Sequence, residues 1–400
     1  MKKGGMAMDS GNKARKLLII LTCVLSALLV LGVAIAVVLH VGDQNKPVQT
    51  DPSTTESILT EPETSEETTV PETTIGPEIT EILMTFVGDC TLGKNQKHTY
   101  KNSFVEKYDQ EGPDYFLENV RNIFEQDDVT VVNLEGSLTT STDIQVGKQF
   151  CHKGLPEYVQ ILTGSSVEVA TMGNNHRIDY GQKGFEETVQ VLEEAGIGYC
   201  YENQVYLVHE VKGVKIGFVA CNEYYKGKTV EKWFQQGYEY LKEQGCEIFI
   251  AAPHWGGDKT PVIEDYQKEL GRKIIDMGYD LVVGTHPHVL QGMEIYNDHL
   301  IVYSMGNFCY GGNKKPEDRD SGVLQYKFTF VDGELQVGVD AKFTPMHWCD
   351  PTVKYNTYQP IMAVDEEYTR IIEKINGYSV EFGTMLDENG RPCLIPEQEA

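Results

Sequence analysis

The stretch Tyr279-Asp280-Leu281-Val282-Val283-Gly284-Thr285-His286-Pro287-His288-Val289 decides how this chain is read. Its first half has the apolar, β-branched density of a strand buried on both faces, and Gly284 releases the chain into a loop at the strand's C-terminal end. Ligand sites in open α/β sheets gather at that edge. Two imidazoles with Pro287 stiffening the link between them can converge on one small site, and imidazole is a good ligand for divalent transition metals.

Four other apolar runs end the same way. Phe86-Val87 leads to Gly88-Asp89, Val131-Val132 to Asn133-Leu134-Glu135-Gly136, and Ala170-Thr171-Met172 to Gly173-Asn174-Asn175-His176. The fourth, Ile250-Ala251-Ala252, leads to Pro253-His254-Trp255-Gly256. One polar group at one strand end is readily explained by a turn or a loop hydrogen bond. Five in succession point to a shared site of Asp, Glu, Asn and His donors, suited to zinc, manganese or iron rather than to calcium.

Between these ends, strand and helix patterns mostly alternate, which predicts a layered α/β domain. Strands are expected at 81–87, 129–134, 167–172, 215–220 and 247–252, and helices at 182–195, 229–243 and 262–276. A hairpin is expected at Lys212-Gly213. The later part reads as antiparallel β over 294–304 and 322–344, with Asn297-Asp298 and Asp332-Gly333 as hairpin turns. A short helix is expected from Asp365 to Ile375. Asp179, three residues ahead of Gln182, reads as a helix N-cap with a capping-box partner.

Ahead of the α/β region, Leu17 to Leu39 is 23 residues without a charge, the length an α-helix needs to cross a hydrocarbon core of ~30 Å. Lys2, Lys3, Lys13, Arg15 and Lys16 precede it, so the positive-inside rule puts residues 1–16 in the cytoplasm and the rest outside the cell. The expectation is a single-pass anchor in the cell membrane. Residues 40–80 are rich in Thr, Glu, Pro and Ser, with nine acids to one lysine between Asp43 and Glu78. Such a composition cannot offset its ordering entropy, and predicts a disordered linker. The folded domain is expected over 81–346, followed by an extension, 347–400, of open role. The 60 acidic and 34 basic residues give a formal charge of -26, which argues against a nucleic-acid surface. The scattered cysteines contain no Cys-x-x-Cys pair.

Taken in order, Phe86-Val87-Gly88-Asp89, Asn133-Leu134-Glu135, Gly173-Asn174-Asn175-His176-Arg177-Ile178-Asp179-Tyr180-Gly181, His254-Trp255-Gly256, Gly284-Thr285-His286-Pro287-His288-Val289-Leu290-Gln291 and Tyr303-Ser304-Met305-Gly306-Asn307-Phe308 resemble the CapA family. That family is tied to synthesis or export of poly-γ-glutamate capsule and is similar in fold to calcineurin-like metallophosphoesterases. The resemblance implies a metallophosphoesterase-type α/β sandwich binding one or two divalent transition metal ions. It implies Asp89 as the bridging carboxylate, with Glu135 and His288 on the first metal and Asn175, His254 and His286 on the other. His176 would donate a proton to a leaving oxygen, and Asn133, Asn174, Trp255 and Asn307 are candidate substrate contacts. Asp89-Cys90-Thr91 departs from the Asp-x-His of metallophosphoesterases, and Glu135 stands where they usually carry Asp. Gly257-Asp258-Lys259 replaces the Glu-Tyr pair that commonly follows His-Trp-Gly in the CapA pattern. Three functions follow from the resemblance: a metal-dependent hydrolase or transferase of capsule or envelope polymer, a non-catalytic polymer-binding partner of a capsule synthase or export complex, or a phosphodiesterase or phosphatase unrelated to capsule. The substrate would be an anionic polymer or a phosphate ester.

Overall fold

The computed structural model describes residues 76–202, 205–222 and 228–396. The expected membrane span at 17–39 and nearly all of the 40–80 linker lie outside the described residues. Among the described residues, no helix is long and apolar enough to cross a membrane. The described residues form one compact unit.

Two mixed sheets build the core. The larger runs in the order β14-β13-β12-β1-β2-β3-β4, with β11 alongside the C-terminal end of β1. Its members are β1 (Ile79–Thr91), β2 (Val129–Leu134), β3 (Val169–Thr171), β4 (Gly198–Cys200), β11 (Asn307–Tyr310), β12 (Asp320–Val331), β13 (Ala341–His347) and β14 (Ile361–Met362), with the two-residue strand Glu334–Leu335 paired to the end of β12. The smaller runs β9-β10-β8-β7-β6-β5, from β5 (Leu207–Val211), β6 (Val214–Asn222), β7 (Ile248–His254), β8 (Leu281–Val283), β9 (Met293–Tyr296) and β10 (His299–Val302). Strands β1 to β4 are mutually parallel, as are β6, β7, β8 and β10. Their C-terminal ends therefore meet at one edge of the molecule.

Alternation along each strand divides the side chains between layers. Phe86, Val131, Phe218, Ile250 and Val302 share the core between the sheets. Val87 and Val132 face outward to a cluster with Phe104, Phe116 and Leu192, on the side covered by α1 (Phe104–Glu111) and α2 (Gly181–Ala195). Val219, Ala251, Val282 and Ile301 face outward to Phe234 and Ile274, from α3 (Lys228–Glu243) and α4 (Asp265–Met277). The result is the layered helix-sheet-sheet-helix sandwich the alternating pattern predicts.

The expected elements appear with small boundary shifts. The first strand starts two residues earlier, inside the stretch read as linker, and runs on through Asp89 to Thr91. The three hairpin turns fall where expected, with left-handed φ at Lys212, Asn297, Asp298 and Asp332. The expected 294–304 pair is antiparallel within itself, but β10 also runs parallel to β8, so that hairpin is built into the smaller sheet. Residues beyond 347 are structural as well: α5 (Asp365–Ser379) sends Ile371, Ile372 and Ile375 into the inter-sheet core, joined by Leu386. Arg370 and Lys374 of α5 also bind Asp320 at the start of β12.

Candidate metal centre

The expected site residues sit at or just past the C-terminal ends of strands. A bulge re-aims the first of them. The pairing of β1 with β2 shifts register between Phe86 and Asp89, and the Asp89 N–H donates to Gly306 O at 2.8 Å. The backbones touch so closely that a Cβ on Gly88 would lie 2.0 Å from Gly306 O. The two histidines flanking Pro287 hold left-handed conformations, His286 at φ 102° and His288 at φ 60°. Such backbone is costly for a residue with a side chain and concentrates at functional sites.

The loops bring the expected residues together. Asn133 Nδ2 donates to Asp89 Oδ1 at 2.8 Å and stands 3.4 Å from His254 Nδ1, linking the larger sheet to the smaller. Glu135 is fully buried between the two groups of donors. Its Oε1 lies 3.7 Å from both His254 Nε2 and His176 Nε2, and its Oε2 lies 3.8 Å from His288 Nδ1. His286 Nδ1 is 3.1 Å from His254 Nε2, which is 3.2 Å from Asn175 Oδ1. His288 Nδ1 is 3.0 Å from Asp89 Oδ2 and 3.0 Å from Asn307 Oδ1. The ligand atoms form two overlapping sets, Glu135-His254-His286 and Asp89-Glu135-His288.

Glu135 is common to both sets, with Oε1 toward His254 and Oε2 toward His288, and Asp89, whose Oδ1 accepts from Asn133, stands beside it. The extra methylene of Glu over Asp gives the reach to stand between two imidazole groups.

The electrostatics suit a cation. Glu135 Oε1 and Oε2 are buried without a hydrogen-bond partner, and Asp89 Oδ2 is buried against the His288 ring nitrogen at 3.0 Å, a costly concentration of acceptors that a bound cation would satisfy. Burial pushes the Glu135 carboxyl up to about 8, against the pull of His288. Burial also opposes charge on His288, but Glu135 and Asp89 outweigh it and lift the ring to about 10. Burial and the neighbouring His288 lower His286 to about 4, and burial holds His254 well below the usual range. The donor set is therefore compatible with a metal ion.

One expectation is corrected at Asp179. It caps no helix: α2 starts at Gly181 with Tyr180 at its N-cap and no side-chain cap. Asp179 is instead fully buried, with Oδ2 2.7 Å from His176 Nδ1 and 2.6 Å from the donating His152 N, and Oδ1 accepting from Lys148 Nζ at 2.5 Å. This fixes the His176 ring with Nε2 toward Glu135. Lys148 Nζ also donates to Asn175 O at 2.5 Å, and the His152 ring stands 4.3 Å from that of His176. Lys148, His152 and Tyr310, whose ring lies 5.0 Å from that of His288, were missed by the sequence reading because none follows one of the long apolar runs that mark the other strand ends.

Of the candidate substrate contacts, Asn174 donates to Asn133 Oδ1 and Leu134 O and accepts from the His176 N–H, so its geometry holds the loop. Asn307 clamps His288 through Oδ1 and through Nδ2 to His288 O at 3.1 Å. Trp255 has no exposed surface; it stacks on Tyr303 and donates Nε1–H to Tyr303 O at 2.8 Å, beneath the site in the core. A third group of possible ligands, Asp320, His347 and Glu367, lies apart from the cage. There Arg370 and Lys374 already engage Asp320.

Two stacked mixed sheets carry a cage of carboxylate, amide and imidazole donors at the ends of their parallel strands. Residues 83–311 match the family model described as bacterial capsule synthesis protein PGA_cap, and the chain belongs to that family. It is 30% identical over 262 residues to the PGA biosynthesis protein CapA of Bacillus subtilis (strain 168), covering 60% of this chain and 66% of that one. It is 26% identical over 272 residues to the capsule biosynthesis protein CapA of Bacillus anthracis, covering 62% and 64%. The chain thus spans just under two thirds of the length of these relatives. A hypothetical protein from Thermus thermophilus aligns over 66% of this chain and 99% of its own at 13% identity, with a TM-score of 0.41.

Proposed function

We propose that this protein is a divalent-metal-dependent hydrolase or transferase in the synthesis or export of a poly-γ-glutamate capsule or related envelope polymer. The apolar segment 17–39 would hold it at the outer face of the cell membrane, where it would work beside a polymer synthase or export complex. One observation carries the reading: two buried carboxylate oxygens of Glu135 without a hydrogen-bond partner, and Asp89 Oδ2 beside His288, face three imidazoles and an amide oxygen.

Asp89, Glu135 and His288 would hold one ion, and Glu135, Asn175, His254 and His286 a second, with manganese, zinc or iron fitting these donors. When bound, such ions polarise an anionic group and generate a nucleophile from water near neutral pH. The chain's own residues do the rest. Asp179 accepts from His176 Nδ1, presents Nε2 to the cage and supports the positive charge of the ring once Nε2 has taken a proton from solvent, against the burial that holds this imidazole well below its ordinary range. From Nε2 that proton can pass to a leaving oxygen. Asn133 and Asn307 fix Asp89 and His288 in position.

The test is His176→Ala in the full chain. Loss of polymer production in cells, with metal content and thermal stability intact, supports chemistry at this site. Unchanged production with metal retained would make the protein a binding partner of the synthase and overturn the enzymatic reading.

A further inference from the structure

Two cavities open onto the cage, one at each ligand set. The first, about 630 Å³, is lined by Gln145, Lys148, Gln149, Asn174 and Asn175 at the Asn175 end. The second, about 440 Å³, is lined by His288, Asn307 and Asn313, with Lys259 and Lys315 among its charged residues. They share no lining residue. Each is already of the size that encloses a small organic ligand, so together they exceed what one phosphate ester would fill.

Their chemistry differs. In the first, Lys148 is committed to Asp179, Arg177 to Glu202 and Asn174 to the loop, while the lining carboxamides of Gln145 and Gln149 are exposed. In the second, Asp318 is paired with Lys374, which leaves Lys259 and Lys315 against Glu317 among the charged lining side chains. Among the described residues neither lysine has a carboxylate partner, and both are exposed; Lys315 lies over the Tyr355 ring. Lys259 is also fixed in place, since its N–H donates to the carbonyl of Pro287, between the two cage histidines, at 2.8 Å. In a chain of net charge -26, two unpaired cations beside the site are the local complement that an anionic ligand needs.

We propose that an internal stretch of a linear polycarboxylate lies across the cage. Its carboxylates meet Lys259 and Lys315 on one side, and its amide backbone meets the carboxamides of Gln145 and Gln149 on the other. The protein would then engage its polymer along the chain rather than at a terminus. This deepens the functional reading above and rests on it for the position of the reacting centre.

The experiment uses the full chain loaded with Mn²⁺ and poly-γ-glutamate with both termini blocked, with binding followed at low salt. The wild type is expected to bind the blocked polymer. Lys259→Glu with Lys315→Glu should weaken that binding at least about tenfold, from four units of charge change at partly exposed pairs. Lys259→Arg with Lys315→Arg should retain it, with bound metal the same in all three proteins. Failure of the wild type to bind, binding only of polymer with free ends, or unchanged affinity in the double Glu variant would each overturn the proposal. Absence of metal from the wild type would instead sink the reading of the cage, and the polymer titration would still report on the two lysines.

Discussion

Replacing Asp179 by Asn is the most informative single change near the site. The carboxylate accepts at once from Lys148, from the His152 backbone and from His176 Nδ1, all while fully buried. An amide keeps the volume but offers one acceptor oxygen and brings N–H groups of its own. If the amide nitrogen faces His176, Nδ1 becomes an acceptor and the proton moves to Nε2, the wrong tautomer for a ring that must take up a proton there. Turnover should fall about 10² to 10⁴-fold, the usual worth of a positioned acid-base group. Lys148 also loses its charged partner; it is 21% exposed, so water compensates in part and the stability cost should be about 2 kcal/mol. The assay is steady-state turnover of a phosphodiester and of poly-γ-glutamate with saturating Mn²⁺, alongside thermal melting and metal content. KM and bound metal should hardly change while kcat drops. Full activity with an unaltered pH profile would refute the His176-Asp179 reasoning, and loss of metal would show that Asp179 supports the ligands instead.

Other expectations follow from the same geometry. Burial lifts Glu135 to about 8, so the metal-free protein carries its proton at neutral pH, and the His288 ring is lifted to about 10; metal must displace both protons, and Mn²⁺ affinity should keep rising with pH through about 8 toward about 10. Calorimetry in buffers of different ionisation enthalpy should show proton release on binding at about pH 6.5, and a pH-independent affinity would contradict this. Gly88→Ala would drive a methyl into Gly306 O and displace Asp89; a cost of about 2–4 kcal/mol and lowered metal content are expected from melting and elemental analysis. Ile375→Ala, fully buried on α5, should cost about 2–4 kcal/mol in urea unfolding, and a cost near zero would remove α5 from the core.

How much was legible beforehand depends on which physical signal each residue carries. The strands were readable because burial on both faces demands continuous apolar runs, and the site was readable because parallel strands must end together, so Asp89, Asn175, His254, His286 and His288 stand where expected. The place of Glu135 between the two groups of imidazoles was not, since which oxygen faces which imidazole depends on how the two sheets are stacked. Asp179 was misread because Asp before a Gln three residues on has the local look of a cap, while its true partners are Lys148 and His152, far upstream in the chain. Those two lie in a polar connection with no periodicity to mark them. Trp255 was offered as a substrate contact, but its bulk serves the core below the cage. The small pairing strands that carry His152 leave no sequence signal, being only two or three residues long.

The central claim is that Glu135 lies between two sets of donors and ties them into one metal centre. Elemental analysis of the full chain and of Glu135→Gln after manganese, zinc or iron supplementation tests it directly. The wild type should hold between one and two equivalents, and Glu135→Gln should fall well below one while remaining folded. A wild type holding less than one equivalent, or a Glu135→Gln protein with unchanged occupancy, would contradict it.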